Sequence, residues 1–488
     1  MENIYTIITE KQNVAAGIRN ILEQKYLLHK NLADDSIAIF EGFLNHLIDG
    51  LFVVIEYPYV DKVYRNSYYH YYSSKLDNYS RDCIKLSFFK GSITENDFRD
   101  SSRKQDLQHI FGGFVVIRPT FPKVIGRSVI APSITVNSNI LVCNTDVNIT
   151  VNGVKLKACG FPHASQDGEM LTCAETTVWG LMEYFGNRYP EYAPILPDKI
   201  TKVLNSISFE RLLPSKGLTL VQTSYTIKEF GFGVKNYTRQ QFPADFERIL
   251  KTYIESGIPV IALVSNAAVG HALNIIGREH FTEGDIENLQ LSQTLTNGVQ
   301  IMEFTDLPMQ YVISDDNFPP YQLAYLSEPV SYYTNPRWAG CTITGCIIPL
   351  YPKIYLEANE ARTKALLWLQ SMNLQTAIPI VIKCFLTSSR SFKDSIAGND
   401  SLDANTKELL LSLAMPKFIW ITELTNKDLL RQNLCNGLIV LDATEPKKTG
   451  MIASIIENNF ISYSDTAITQ TALPLQPFRQ FNQNIKNI

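Results

Sequence analysis

The sequence predicts an α+β protein in which a helix that begins at a cysteine packs on an antiparallel sheet, with additional α/β regions before and after this core. Residues 172–185 combine a helix start with apolar residues at helical spacing. Residues 258–264 and 271–278 are apolar runs joined by six residues, which is typical of a hairpin. Beyond residue 340, strand-like and helix-like segments alternate.

We divide the 488 residues into three regions. Residues 1–150 form an N-terminal α+β region, residues 151–340 hold the candidate chemistry, and residues 341–488 form a C-terminal α/β region that packs on the middle one. A chain of this length commonly holds two or three domains. No Gly/Ser-rich linker separates the regions, so we expect them to pack tightly and to share sheets.

In the N-terminal region, apolar residues at three- and four-residue steps predict helices over residues 13–24 and 36–49. Runs rich in valine, isoleucine and phenylalanine predict strands over residues 51–57, 83–89, 114–118, 124–131, 140–143 and 147–156.

Residues 57–79 are dense in tyrosine and also contain Lys62, Arg65, His70 and Lys75. Aromatic and basic side chains together can stack on nucleic-acid bases. Tyrosines also pack into cores while their hydroxyls form hydrogen bonds. Because the net charge of the chain is −4, we favour the packing role.

The helix of the middle region is predicted to begin at Cys173. Thr172 and Glu175 have the spacing of a capping box, and Gly186 marks the predicted helix end. One helical stripe holds the apolar residues Ala174, Val178, Leu181, Met182 and Phe185. In the first turn of a helix, free amides and the helix dipole favour a thiolate over a thiol, so Cys173 is the candidate nucleophile.

His271 is the candidate base because it stands at the start of the second hairpin strand, where its ring can reach a cleft. Asp315 follows a predicted strand over residues 311–314 and can orient the imidazole, with Asp316 and Asn317 as close alternatives. His163 is a rival base, but no strand is predicted to hold it rigidly.

Gln166 is the candidate oxyanion donor, through its side-chain amide, beside the backbone amide of Cys173. The remaining helices are predicted over residues 198–206, 220–230, 243–256, 357–371, 404–413 and 426–433, and the remaining strands over residues 342–351, 378–386, 417–422, 437–442 and 451–463. Residues 281–309 are a polar insertion, and the last twenty residues are predicted to be poorly structured.

Residues 166–320 resemble papain-like cysteine peptidases, and most closely the branch of bacteriocin-processing, double-glycine-type peptidases. The likeness starts with Gln166 and with Cys173, which opens a helix that is predicted to end in Tyr-Phe-Gly at residues 184–186. It continues in the segments at residues 216–219, 231–232, 256–261, 270–277 and 311–315.

The resemblance implies a papain-like core and assigns four roles. Gln166 corresponds to the oxyanion donor, Cys173 to the nucleophile, His271 to the base and Asp315 to the orienting residue. The chain departs from the family pattern where Ala174 replaces the usual glycine and where an aspartate, residue 316, follows Asp315 in place of proline. The orienting residue therefore stays open between these two aspartates.

The net charge of −4 gives no electrostatic reason to expect nucleic acid or a membrane surface as a partner. No run reaches the ~20 apolar residues of a membrane span, and no signal peptide is evident, so we expect a cytoplasmic protein. Most of the eight cysteines lie singly in apolar strings, as buried free thiols do. Cys341 and Cys346 have no further ligand cluster nearby, so we expect neither a metal nor a cofactor.

The sequence thus predicts a selective intracellular cysteine peptidase that acts on a peptide or protein, with flanking regions that shape the cleft or bind a protein partner. One alternative is an acyltransferase of transglutaminase or phytochelatin-synthase type. Another is an inactive binding or scaffold protein with the same fold.

Overall fold

The computed structural model describes residues 5–76, 79–207, 218–372, 374, 378–447, 450–463 and 468–487. In these residues the protein is α+β, with helices packed on three large sheets whose strands run mainly antiparallel. The α+β prediction is confirmed. Residues 216–217, which belong to the segment predicted at 216–219, lie outside the described residues.

The strands are β1 Tyr5–Glu10, β2 Phe52–Tyr59, β3 Cys83–Phe89, β4 Phe111–Ile117, β5 Ile125–Ile130, β6 Ile140–Val142, β7 Thr145–Val151, β8 Val154–His163, β9 Gly233–Thr238, β10 Val260–Ser265, β11 Gly270–Glu279, β12 Gln293–Thr294, β13 Gln300–Glu303, β14 Tyr311–Ser314, β15 Gln322–Ala324, β16 Thr342–Leu350, β17 Ile380–Ser388, β18 Phe418–Thr425, β19 Leu434–Cys435, β20 Gly437–Asp442, β21 Met451–Ile456, β22 Asn459–Tyr463, β23 Ile468–Ala472 and β24 Phe478–Arg479.

The α-helices are α1 Val14–Gln24, α2 Lys30–Asn45, α3 Lys62–His70, α4 Glu95–Arg99, α5 Lys104–Ile110, α6 Cys173–Arg188, α7 Pro197–Ile207, α8 Leu220–Glu229, α9 Phe246–Glu255, α10 Glu283–Glu287, α11 Ala358–Ser371, α12 Ser389–Ala397, α13 Ala404–Ser412 and α14 Lys427–Arg431.

The first sheet has the strand order β1-β2-β3-β4-β5-β8-β7. Its side chains alternate between two buried layers, as the two-residue period of a strand requires. Val53 and Ile55 pack with Ile18 of α1 and Phe40 of α2. Val54 packs on the other side, in a core that includes the tyrosine-rich segment.

The tyrosine-rich segment is part of the core of the first sheet. Asp61 starts α3 by accepting hydrogen bonds from the backbone amides of Val63 and Tyr64, at 3.1 and 3.0 Å. Tyr64 and Tyr72 are buried. The packing role that the sequence favours is the one observed for these two side chains.

The single strand predicted over residues 147–156 is instead a hairpin. β7 and β8 pair antiparallel as far as Val151 and Val154. Asn152 and Gly153 connect them with φ of 43° and 85°, which a two-residue type I′ turn requires. The Asn-Gly pair was therefore the signal for the turn.

The second sheet has the strand order β15-β14-β11-β10-β16-β9, and β6 also pairs with β11. The predicted hairpin at residues 258–278 is confirmed, since β10 and β11 pair antiparallel. Helix α6 packs on this sheet: the Thr177 hydroxyl donates to the Ala272 carbonyl at 3.1 Å, and the Asn274 amide donates to the Thr177 carbonyl at 3.0 Å.

Helix α6 has a second neighbour on its opposite side, the first sheet. Gly180 faces the backbone of Pro162 on β8, where an added Cβ would lie 3.2 Å from the Pro162 carbonyl oxygen. Every residue from Ala174 to Phe185 is buried. The single apolar stripe predicted for this helix is therefore too narrow, because the helix is enclosed between two sheets.

Helix α6 does not end at Gly186, as predicted, but continues to Arg188. A Cβ at Gly186 would lie 2.2 Å from the backbone nitrogen of Pro194 and 2.4 Å from the carbonyl carbon of Ala193. Glycine is needed at this position because the following loop crosses the helix closely, and not because the helix stops.

The third sheet has the strand order β12-β13-β17-β18-β20-β21-β22-β23, with β13 and β17 parallel. The polar insertion at residues 281–309 thus contributes strands β12 and β13 to this sheet. In turn, β16 lies beyond residue 340 but belongs to the second sheet, and β8 lies beyond residue 150 but belongs to the first. Shared strands therefore join the three predicted regions.

The chain from residue 468 to residue 487 packs on the protein, so the prediction of a poorly structured end is wrong. Phe481 and Ile485 are buried. The Asn484 amide donates to the carbonyls of Glu255 and Leu386, both at 3.0 Å. Hydrogen bonds to distant backbone hold this segment, and periodicity in its own sequence does not reveal them.

Candidate active site

Helix α6 begins at Cys173, where the sequence places the helix start, and Thr172 precedes it with φ −92° and ψ −178°. The predicted capping box is wrong in detail. The Thr172 side chain accepts no hydrogen bond from a backbone amide, and its hydroxyl instead donates to the buried carboxylate of Glu175. The first-turn amides beside the Cys173 thiol therefore receive no cap from Thr172.

His271 lies on β11, opposite Val264 in the hairpin register, and is only 7 % exposed. Its Nε2 lies 2.9 Å from Oδ1 of Asp315. The Cys173 thiol lies near enough to the His271 side chain to raise the pKa of the imidazole. Nε2 is engaged by the carboxylate, so Nδ1 is the ring nitrogen left for another partner.

Four hydrogen bonds fill the oxygens of Asp315, which is completely buried. Oδ1 accepts from His271 and, at 3.0 Å, from the backbone amide of Asn317. Oδ2 accepts from the hydroxyls of Tyr332 and Tyr333, each at 2.9 Å. A carboxylate with this many donors is held in one orientation, and it fixes the imidazole in turn.

The electrostatics of the pair favour the charged forms. Burial alone lowers the pKa of His271, but the charge and hydrogen bond of Asp315 and the neighbouring Cys173 thiol raise this pKa well above 6.5. Burial alone raises the pKa of Asp315, but the charge and hydrogen bond of His271 and the Asn317 amide bring it below 3.8. The result is an imidazolium paired with a carboxylate.

The two alternatives for the orienting residue occupy different positions. Oδ1 of Asp316 lies 3.5 Å from Nε2 of His271 but forms no hydrogen bond with it. The Asn317 side chain donates to the Tyr333 hydroxyl at 3.0 Å and accepts from Gln166 at 2.7 Å. Asp315 is thus the carboxylate that contacts the imidazole by a hydrogen bond.

Gln166 is partly exposed and lies in the loop before α6. One N–H of its side-chain amide donates to Oδ1 of Asn317, so the loop is tied to the turn that follows Asp315. A primary amide has a second N–H, which remains for another acceptor.

The rival base His163 ends β8 and is 3 % exposed. Its Nδ1 lies 3.4 Å from the Ser314 hydroxyl. Burial lowers its pKa to about 4. His163 is therefore a neutral imidazole next to the strand that leads to Asp315.

Aromatic residues of the loop before β16 complete the site, and sequence reasoning missed them. Besides the two tyrosines that donate to Asp315, Trp338 packs edge-on against the His271 ring with centroids 5.5 Å apart. The Asn266 side chain of the β10–β11 turn donates to the carbonyls of Arg337 and Ala339, both at 2.9 Å. The only signal in the sequence is the clustering of aromatic residues between 332 and 338.

His271, Asp315 and Asp316 offer ligand atoms within 4.8 Å of one another, and no other such metal-ligand cluster occurs among the described residues. Metal binding would require Asp315 to give up hydrogen bonds from His271 and two tyrosines. We therefore assign these side chains to a hydrogen-bonded network.

All eight cysteines are free, and only Cys173 and Cys159 are partly exposed. Burial and the neighbouring Asp146 raise the pKa of Cys159 to about 12. A thiol with such a pKa is a poor nucleophile at neutral pH. Of the two partly exposed thiols, Cys173 is the one that acts on the pKa of a neighbouring histidine, His271.

Asp315→Asn is expected to lower the pKa of His271 by about one to three units, because a neighbouring opposite charge is removed. The raised pKa stabilises the fold below about pH 6.5, and this contribution is lost as the pH rises through the pKa of folded His271. NMR titration of histidine-labelled protein measures the shift, with His271→Gln for assignment. An unchanged His271 titration in Asp315→Asn contradicts the prediction.

No protein-family model matches the chain, and no curated protein matches it in sequence. None of the helices in the described residues is both long and apolar enough to cross a membrane. Any function must therefore be argued from the site itself.

Proposed function

We propose that the protein is a thiol hydrolase that cleaves an amide bond in a peptide or protein, and that residues 166–320 form a papain-like core. The observation that carries this proposal is that Cys173 lies beside His271, whose Nε2 is hydrogen-bonded to Asp315. A thiol, an imidazole and a buried carboxylate in this order supply the nucleophile, the base and the group that orients the base. Packing of α6 on an antiparallel sheet supports the papain-like assignment.

In the proposed reaction, the thiolate of Cys173 attacks the amide carbonyl carbon and negative charge develops on the carbonyl oxygen. The backbone amide of Cys173 and the second N–H of Gln166 stabilise this charge. The C–N bond then breaks as the imidazolium of His271 gives its proton to the leaving amine, which leaves a thioester. His271 next takes a proton from water, whose oxygen attacks the thioester carbonyl; the C–S bond then breaks, which releases the acid and restores the Cys173 thiolate beside the imidazolium.

Alkylation by a peptide vinyl sulfone or by iodoacetamide, mapped by mass spectrometry, tests the nucleophile. We expect one adduct on Cys173 at limiting reagent, and loss of peptide-library cleavage in Cys173→Ala. Cys159→Ala is the matched control, since that thiol is partly exposed but has no histidine partner. Equal modification of both thiols, or undiminished cleavage in Cys173→Ala, contradicts the proposal.

The N-terminal region has a proposed role in holding the loop that leads into Cys173. The Glu169 carboxylate accepts from the hydroxyls of Tyr71 and Tyr79, at 2.9 and 3.1 Å, and pairs with Lys75 at 2.9 Å. On the other side of the loop, Arg118 donates to the Ser165 carbonyl at 2.6 Å. These contacts hold the loop that carries Gln166 against the N-terminal region.

Glu169→Ala is expected to lower kcat by about ten- to a hundredfold, because a displacement of about 1 Å in a positioning group has effects of this size. KM and the melting temperature should change little, since the carboxylate is partly exposed. Steady-state kinetics measure the split. Glu95→Ala, which removes the exposed Glu95–Arg99 ion pair, is the control; equal effects in both variants count against a positioning role for Glu169.

A further inference from the structure

A small cavity lies behind the candidate active site, between α6, β8, β11 and the turn after β14. It is lined by Pro162, His163, Ala164, Thr176, Thr177, Gly180, Asn274, Ser314 and Asp316. The cavity volume that the centre of a water molecule can occupy is about 10 Å³. This is about the minimum that a single buried water molecule requires.

Three of the lining side chains carry polar atoms that are buried and have no hydrogen-bond partner in the described part of the chain. They are both carboxylate oxygens of Asp316, Nε2 of His163 and Oδ1 of Asn274. Asp316 is 5 % exposed, His163 is 3 % exposed and Asn274 is 2 % exposed. Buried polar atoms without partners are costly, and so many around one cavity indicate a shared partner.

The fixed hydrogen bonds around the cavity limit what this partner can be. Asn274 already donates through its amide nitrogen to the Thr177 carbonyl at 3.0 Å, so only its acceptor oxygen is left. Nδ1 of His163 lies beside the Ser314 hydroxyl at 3.4 Å, so only Nε2 is left. A water molecule, which both donates and accepts, satisfies Asn274, His163 and one oxygen of Asp316 together.

Asp316 is also part of the surroundings of His271, because its Oδ1 lies 3.5 Å from Nε2 of that ring. The other titratable groups whose charges act on Asp316 are Asp315 and Lys123, and neutral His163 lines the same cavity. Burial raises the pKa of Asp316 to about 7, against the attraction of His271. Its carboxyl group therefore lies 3.5 Å from an imidazole that must keep its proton in the proposed reaction.

We propose that Asp316 is a positioning residue of the proposed thiol hydrolase: with His163 and Asn274 it holds one buried water molecule, and it places a second carboxylate beside His271. This inference rests on the proposed function for its catalytic meaning. The added charge keeps His271 protonated at a pH where Asp315 alone would let it lose its proton. The site thereby stays competent over a wider alkaline range.

The test is an NMR titration of the His271 imidazole in histidine-labelled protein, which needs no turnover. Asp316→Asn keeps the shape but removes the charge, and we expect it to lower the pKa of His271 by about one unit, a tenfold change in its protonation equilibrium. His163→Phe removes the water's partner and should shift the His271 titration in the same direction, because Asp316 then ionises less readily. Circular dichroism verifies that both variants are folded.

An unchanged His271 titration in folded Asp316→Asn overturns the proposal, and an effect of Asp316→Asn with none in His163→Phe overturns the shared water. The failure of the proposed function looks different. In that case Cys173→Ala leaves cleavage intact, or no substrate is cleaved, while the His271 titration still responds to Asp316→Asn. A merely structural role for Asp316 would lower the melting temperature without moving the titration.

Discussion

Replacement of His271 with alanine is expected to slow amide cleavage by about 10²- to 10⁴-fold, the usual contribution of a general acid–base residue. The reason is that His271 lies beside the Cys173 thiol and is hydrogen-bonded through Nε2 to the buried carboxylate of Asp315. In the proposed reaction, His271 accepts the thiol proton and gives a proton to the leaving amine, and His271→Ala removes both steps. Cleavage rates across pH 5–10, with alkylation of Cys173 followed in parallel, measure the loss.

The control for this prediction is His109→Ala, because His109 is exposed on α5 and belongs to no contact of the site. We expect wild-type rates for it at every pH. His271→Ala with more than a tenth of the wild-type cleavage rate would remove His271 from the proposed mechanism.

The second large effect concerns an ion pair that joins α6 to the first sheet. Glu183 is 1 % exposed; its carboxylate accepts from Arg127 at 3.0 Å and lies 3.3 Å from the ammonium of Lys62. Arg127 is 6 % exposed, and its next carboxylate, Asp61, is 3.9 Å away. Removing Glu183 leaves the buried guanidinium with Asp61, 3.9 Å away, in place of a carboxylate at hydrogen-bond distance.

Glu183→Ala is therefore expected to destabilise the protein by about 3–5 kcal/mol, the usual cost of breaking a buried ion pair. Chemical unfolding followed by circular dichroism measures the change. The double variant Arg127→Met/Glu183→Leu should be closer to wild type than Glu183→Ala, because apolar residues need no counter-charge. If the double variant is the less stable of the two, the destabilisation comes from lost packing and not from an orphaned charge.

Much of the fold follows from local patterns. The start of α6, the β10–β11 hairpin and the strand at residues 83–89 lie where periodicity and turn residues predict them. Predictions failed where a distant segment decides the outcome. Gly186 resembles a helix end in sequence, but glycine is needed there because residues 193–194 cross the helix closely. The end of the chain is held by hydrogen bonds from Asn484 to the carbonyls of Glu255 and Leu386.

The candidate site likewise contains residues that local sequence patterns predict and residues that they do not. Gln166, Cys173, His271 and Asp315 were selected from residue type and placement on predicted elements, because helix starts and strand ends have local signals. The two tyrosines on Asp315 and the ring of Trp338 were not selected, since no local pattern tells which loop folds over a strand end 17 or more residues away.

By itself, the sequence determined that Cys173 opens a helix, that His271 lies at the start of a strand and that Asp315 follows a strand. These features depend on helix propensity, alternation and turn chemistry within a few residues. Only the tertiary structure decided that Asp315, and not Asp316, is hydrogen-bonded to the imidazole. Adjacent residues point in different directions, and the register of β14 against β11 decides which of the two aspartates reaches Nε2 of His271. The polar neighbours of Asp316 come from β8 and α6, which are distant in sequence.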